Sequence, residues 1–355
     1  MKSKVFFTPV KDAEDIDAVN AGLKLLLAKS GVQAVAEAGR KVVVKLHFGE
    51  EDTDSFVRPA HLRLICDEIA ARGALPFLSD ANTLYRGKRL NSEEHLGVAL
   101  EHGFTKDAVG VDILIPDDTK KENVLEVPID QKFIKTASVC RCYVDADALV
   151  AVTHFKGHGL TGFGGSLKNI GMGCATRQGK LAQHCDTAPT FYVKKCIGCG
   201  ECEKVCPVSA IHVENDKAVL SKDKCIGCAS CVAACPSTAL FIDFKAGDDL
   251  QKKMVEYAYA LLKDRKGKAA FLNFALRINK ECDCWRYGNE RIAPDVGIFA
   301  STDPVAIDKA SLDLVNAACG KEIFTEFHPG QHHQLQLEYA QQIGLGSIDY
   351  ELIRV

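Results

Sequence analysis

Short β-branched runs alternate with amphipathic stripes along the first half of the chain. "KVVVKLHFG" at 41–49 is nearly continuous in apolar character and closes on Gly49, which predicts a buried strand. Between 58 and 73 the apolar positions Leu62, Ile65, Cys66 and Ile69 recur at helical spacing, and Gly73 is the expected stop. "LPFLSD" at 75–80 predicts the next strand, and strand–helix–strand implies a right-handed parallel crossover. A helix over 92–104 and a strand over 147–155 follow, the latter leading into a glycine-rich segment.

The pattern breaks near 190 and resumes after 245. Leu250, Met254, Tyr257 and Leu261 mark a helix over 248–267; 268–276 and 295–301 read as strands. The run 302–320 reads as a helix with Asp303 as N-cap, Pro304 at the first helical position and Gly320 just past the end. The expected fold is α/β: a parallel or mixed sheet domain made from 1–188 and 246–355, interrupted at 189–245 by a small α+β insertion.

The interruption has its own internal repeat. "CIGCGECEKVCP" (196–207) and "CIGCASCVAACP" (225–236) are two copies of C-x2-C-x2-C-x3-C-P. Three closely spaced thiolates on a tight loop hold three irons of one cubane, and the fourth cysteine serves the neighbouring cluster. The spacing therefore assigns Cys196, Cys199, Cys202 and Cys235 to one 4Fe–4S cluster and Cys225, Cys228, Cys231 and Cys206 to a second. Gly198, Gly200 and Gly227 leave room for backbone N–H groups to approach sulfur, and Ile197, Val205, Ile226 and Val232 are expected to limit water. Paired zinc sites would need neither the third close cysteine nor the closing proline. The stretch resembles a bacterial two-cluster ferredoxin, which implies one-electron transfer. Seven lysines against six acidic residues over 190–245 suit a wire built into a larger protein.

Composition narrows the setting. The net charge of −3 gives no global electrostatic case for nucleic acid or an anionic membrane. The start "MKSKVFFTPVKDAEDID" lacks a signal-peptide pattern, and no window predicts a membrane span. Sixteen cysteines in such a chain point to metal or redox chemistry in a cytoplasmic protein rather than to disulfides.

Beyond the repeat, "HFKGHGLTGFGGSLKNIGMGCATRQGKLAQHC" (154–185) gathers His154, Lys156, His158, Lys168, Asn169, Cys174, His184 and Cys185 among eight glycines. A glycine-rich loop after a strand can turn backbone N–H groups toward an anion, with lysine adding charge, so a small anionic substrate is expected. Downstream, "KECDCW" places Cys282 and Cys284 one residue apart on a predicted loop. With Cys174 as third ligand, and His184, Cys185, His154 or His158 as fourth, they make a candidate third metal site, iron–sulfur or zinc. The alternatives are a redox-active dithiol and unligated cysteines. Cys66 and Cys319 read as core residues, and Cys140 and Cys142 as sharing a strand face. His47 and Glu50, and then Asp80, Asn82, Tyr85 and Arg86, follow predicted strands, where ligand crevices of parallel sheets lie. His158, Lys168 and His47 are the candidate catalytic groups.

"VVVKLHFGEE", "FLSDANTLYRG", "HFKGHGLTGFGGSLKNIGMGC", "CDCW" and "STDPVAID" together resemble the DUF362 family of iron–sulfur proteins, from about residue 40 onward. That resemblance implies an anaerobic-type cytoplasmic protein and supports one domain carrying an insert. The expected function is an oxidoreductase that takes electrons from a redox partner protein, ferredoxin-like or an oxidoreductase, through two 4Fe–4S clusters to a site near Cys174, Cys282 and Cys284. The alternative is a non-enzymatic carrier or assembly factor with a structural metal there. An enzyme requires an open cleft with His158 and Lys168 pointing in; a carrier requires a closed, fully ligated metal.

Overall fold

The structure is a computed structural model that describes residues 2–85, 87–184, 188–225, 227, 229–242, 247–285, 287 and 290–355. Arg86, Cys185, Ile226 and Cys228, singled out above, lie outside the described residues.

Eight strands form one mixed sheet: β1 (Ser3–Pro9), β2 (Lys41–Lys45), β3 (Leu75–Ser79), β4 (Ile113–Leu114), β5 (Ala148–His154), β6 (Ala269–Ala275), β7 (Gly297–Ser301) and β8 (Tyr350–Arg354). Their order is β8-β1-β7-β6-β5-β2-β3-β4. The pairs from β6 through β5, β2 and β3 to β4 are parallel, as is β1 with β8; β7 runs antiparallel to both its neighbours.

Alternation along the central strands explains their continuous apolar character. Val42, Val44, Val150, Val152, Leu272 and Phe274 enter one core with helices Ile16–Ser30 and Pro59–Ala70. Val43, Leu149, Ala151 and Phe271 enter the other with helices Ser166–Gly171, Asp248–Leu262 and Pro304–Cys319. A parallel sheet covered on both faces needs apolar residues at both parities. The cap reading holds for the last of these helices: Asp303 accepts from the Val305 and Ala306 N–H groups, and Gly320 adopts a left-handed φ of 67°. Cys66 packs in the first core, and burial raises its thiol pKa to about 12.

Cys140 and Cys142 do not share a strand face. A strand ends at Cys140, and Cys142 already lies in the helix Arg141–Asp145. No helix among the described residues is long and apolar enough to cross a membrane.

Between the two parts of the body, Thr190–Phe191 pairs with Leu240–Phe241 and Ile211–Glu214 with Lys217–Leu220, each antiparallel. Helices Glu201–Lys204 and Ser230–Ala234 accompany them. Cys202, Cys231 and Cys235 belong to a small core with Ile211, Ala239 and Leu240 that is separate from the two sheet cores. Ile197 and Val205 do not shield it; both are exposed.

Candidate functional site

The C-terminal ends of β2, β3, β5 and β6 share one edge of the sheet, and a cavity of ≈ 500 Å³ opens there. It is lined by His47, His154, His158, Lys168, His184, Cys282 and Cys284, all candidates from the sequence. Lys45, Arg89, Lys180 and Trp285 join them.

The helix carrying Lys168 and Asn169 is fixed from beneath. Asp308, fully buried on helix Pro304–Cys319, accepts from the Ser166 N–H at 2.7 Å and the Leu167 N–H at 2.9 Å. Asn273 Nδ2 donates to the same carboxylate at 2.8 Å. A Cβ on Gly165 would stand 2.4 Å from Asp308 Oδ1, so this approach requires glycine. The expectation that these amides face a bound anion is thereby corrected: their anion is the protein's own Asp308.

The loop carrying Cys282 and Cys284 is fixed from the opposite side. Asp283, fully buried between them, accepts from His154 Nδ1 at 2.7 Å and lies 2.9 Å from Lys156 Nζ. Burial opposes its charge, but His154 and Lys156 hold its pKa at about 2. His154 Nε2 meets the Leu276 carbonyl at 2.9 Å, so both ring nitrogens are engaged and neither is free for a metal. The Tyr85 hydroxyl meets the Cys284 carbonyl at 2.8 Å. The Gly157 N–H donates to Asn279 O at 2.8 Å, and a Cβ on Gly157 would stand 2.0 Å from Lys280 O.

The donor atoms of His158, Cys282 and Cys284 lie within 4.8 Å of one another, close enough to hold one ion. Lys168 Nζ is 3.3 Å from Cys282 Sγ, and the Cys284 N–H is also 3.3 Å from it. The hydrogen bond from Cys284 holds the Cys282 thiol well below its ordinary pKa; burial opposes this and Lys168 assists it. The same bond, together with burial, raises Cys284 well above. Burial works against the Lys168 charge, yet the Cys282 thiolate raises its pKa to about 12. Burial and the Lys168 charge lower His158 to about 4, so its ring is neutral at pH 7.

Cys174 is not part of this group. The turn after helix Ser166–Gly171 carries it into the apolar core, fully buried, where burial raises its pKa to about 12. His184 lines the cavity, and burial lowers its pKa to about 3. His47 is a poor base: its Nδ1 accepts the Gly49 N–H at 2.9 Å and its Nε2 faces Arg89 Nη1 at 2.9 Å. Burial, then Arg89, pushes its pKa well below the usual value.

The cations that sequence reading missed are mostly neutralised in place. Lys45 Nζ meets Asp80 at 2.9 Å, Asn169 Oδ1 at 2.9 Å and Leu46 O at 2.7 Å. Arg89 is clamped on Glu50 by two 3.0 Å bonds. Lys180 Nζ bonds the Ala175 carbonyl at 2.6 Å. Lys168 and Lys180 thus face the cavity with no carboxylate partner among the described residues.

The repeat cysteines gather in two sets. Cys196, Cys199, Cys202 and Cys235 line one small cavity with Gly198 and Gly200; Cys206, Cys225 and Cys231 line another with Ala229. Backbone N–H groups of Ala218, Ala210, Gly227 and Ala239 approach the sulfurs of Cys196, Cys206, Cys225 and Cys235 at 3.1–3.4 Å. Ala229 and Ile242 pack against Leu84 and Leu181, and Leu84 also lines the large cavity.

Two solved structures resemble the chain at low identity. One is the lactate racemase apoprotein from Thermoanaerobacterium thermosaccharolyticum: 18% identity, 78% of this chain, 51% of that one, TM-score 0.41. The other is a structural-genomics crystal structure of a protein from Thermotoga maritima: 14% identity, 86% of this chain, 59% of that one, TM-score 0.44. The chain therefore spans between half and three-fifths of the length of these two proteins. No curated protein matches it. The DUF362 model, described as a domain of unknown function, matches residues 42–313, more than half the length, and the chain belongs to that family.

Proposed function

We propose that this protein is an iron–sulfur oxidoreductase, with residues 189–245 inserted into the α/β body as its electron-carrying module. Cys196, Cys199, Cys202 and Cys235 would hold one 4Fe–4S cluster and Cys225, Cys228, Cys231 and Cys206 the other, and such clusters supply electrons one at a time.

The observation that carries this reading is the exchange of the fourth cysteine. Cys235, from the second repeat, lines the cavity of the first set, and Cys206, from the first repeat, lines that of the second. Four thiolates around one zinc ion would stand about 3.8 Å apart, given Zn–S bonds of about 2.3 Å. Among the described residues, only His158, Cys282 and Cys284 bring three such donors within 4.8 Å. Cys196, Cys199, Cys202 and Cys235, all described, do not meet that spacing, which supports a larger group than a single tetrahedral ion in the first set. N–H groups directed at the Cys206 and Cys235 sulfurs are the kind of contact that tunes cluster potential.

The open ≈ 500 Å³ cavity favours an enzyme over a carrier with a closed structural metal. A small core shared by Ala229, Ile242, Leu84 and Leu181 joins the second repeat to the cavity wall. Leu160, Met172, Leu250 and Met254 provide apolar lining, and Lys168 and Lys180 provide positive charge. Such a site suits a small anion with an apolar body, reduced or oxidised by way of a redox partner protein.

Iron and acid-labile sulfide on anaerobically purified protein test the reading. About eight of each per chain are expected. Zinc without sulfide contradicts it.

A further inference from the structure

The geometry points to Cys282 and Cys284 as a reversible thiol–disulfide couple, a two-electron store in the cavity, rather than as ligands of a metal with His158.

The protonation of His158 decides between these roles. Its Nδ1 accepts two backbone N–H groups, from Leu160 and Thr161, each at 3.2 Å. The Thr161 hydroxyl, 3.0 Å from the same nitrogen, has Phe163 O as its acceptor at 2.8 Å. A nitrogen that receives N–H donors carries no proton, so the neutral ring keeps its single proton on Nε2. One ring nitrogen of His158 lies within 4.8 Å of the Cys282 and Cys284 sulfurs. Binding a metal through Nε2 would move the proton to Nδ1, against two N–H groups. Metal-binding histidines instead donate their second nitrogen to an acceptor.

Lys168 adds a second objection. Its ammonium stands 3.3 Å from Cys282 Sγ, in space that a divalent cation bound to that sulfur would contest with like charge. Cys174, the expected third sulfur, is in the core. What remains is one sulfur supplied with two donors, from Lys168 and the Cys284 backbone, with a second sulfur and the His158 ring beside it. That is the arrangement of an attacking thiolate and its resolving thiol. Asp283 and Tyr85 fix the loop between them.

The chemistry balances within the pair. Oxidation removes two electrons: the Cys282 thiolate sulfur bonds to the Cys284 sulfur, and the Cys284 S–H proton leaves to solvent. Reduction returns two electrons and one proton and reopens the bond. A disulfide such as oxidised glutathione accepts the pair of electrons and that proton, and is cleaved to one thiol and one thiolate. That two single electrons from iron–sulfur donors reopen the bond rests on the function proposed above; the couple itself does not.

Trypsin releases both cysteines on one peptide, 281–286, free of the repeat cysteines. The full-length protein is equilibrated anaerobically in glutathione buffers of rising oxidised fraction, acid-quenched, alkylated and digested. The peptide is expected to pass from doubly alkylated to an unlabelled internal disulfide while iron content holds. Double alkylation at every ratio, or one equivalent of metal released as the pair is alkylated, overturns the couple. Lys168→Met removes the cation that favours the reduced form, so disulfide is expected at a ratio about tenfold less oxidising. An unmoved midpoint in a folded variant overturns the assignment of Lys168. Cys284→Ser should trap Cys282 as its mixed disulfide with glutathione as the buffer becomes more oxidising; a Cys282 that stays alkylated at every ratio in that variant overturns its assignment as the attacking thiolate. Switching in protein without iron defeats only the cluster reading, and eight irons without switching defeat only the couple.

Discussion

In the cysteine block the two candidate ligand sets come from one stretch of chain, 196–235, and most of their spacing is local. In the cavity of the α/β body the functional side chains come from positions as far apart as Lys45 and Trp285, and their proximity is a product of sheet order. The proposed ligand sets of the block can be read from a repeat because their spacing along the chain is local. The cavity cannot, because its geometry depends on which strands lie side by side. The block also has a core of its own, so the two regions should respond separately to damage.

The largest effect expected from breaking that separation is Cys202→Ser combined with Cys235→Ser. Iron and sulfide should fall by about half, from about eight to about four per chain, because both cysteines belong to one set. The body's thermal transition should persist, as its sheet cores contain neither residue. Loss of all iron together with that transition would show that the block and body are one cooperative unit.

Next comes Asp283→Asn, which leaves His154 and Lys156 buried without their carboxylate. Removing one partner of a buried ion pair costs about 3–5 kcal/mol, measurable by denaturant unfolding. The pH dependence has a definite sign. The folded carboxyl pKa of about 2 is below the reference of 3.8. Its contribution is therefore fully present above pH 4 and lost as pH falls toward 2. About 2 kcal/mol of acid destabilisation should be present in the parent protein and absent in the Asn variant.

Gly157→Ala tests the seam between the hairpin and the cysteine loop. Its Cβ would meet Lys280 O at 2.0 Å, so the loop must shift. A destabilisation of about 1–3 kcal/mol is expected, together with altered alkylation of Cys282. Tyr85→Phe should have the smallest effect. It removes the single phenolic proton that the Cys284 carbonyl and Glu50 share, and the oxygen that accepts from Arg89, at about 1–2 kcal/mol in unfolding, with iron content unchanged.

The central strands and the helix begun by Asp303 and Pro304 were legible because period and capping are local properties. The pairing of β1 with β7 and β8 was not, since nothing within 3–9 reveals its partners. Placing His47, His158, Lys168, Cys282 and Cys284 after strand ends was enough to bring them to one cavity. Arg89 and Lys180 were missed because a charged loop or helix residue reads as solvent-facing. Their burial follows from partners distant in sequence, Glu50 and the walls of the cavity. A loop position after glycines suggests a ligand role for Cys174, yet its neighbours "IGMGCA" are apolar enough to signal core placement. A glycine-rich run suggests an anion cradle, whereas Gly157 and Gly165 serve close approach to Lys280 O and Asp308. Only the contacting residues, Lys280 and Asp308, reveal that purpose.

The most direct test of the central claim is an anaerobic titration of the whole protein with a one-electron reductant, followed by electron paramagnetic resonance with spin counting. Two 4Fe–4S clusters predict signals that integrate to about two spins per chain at full reduction, halved in the Cys202→Ser, Cys235→Ser protein. A spin-silent protein, or one whose metal is zinc, would contradict the account.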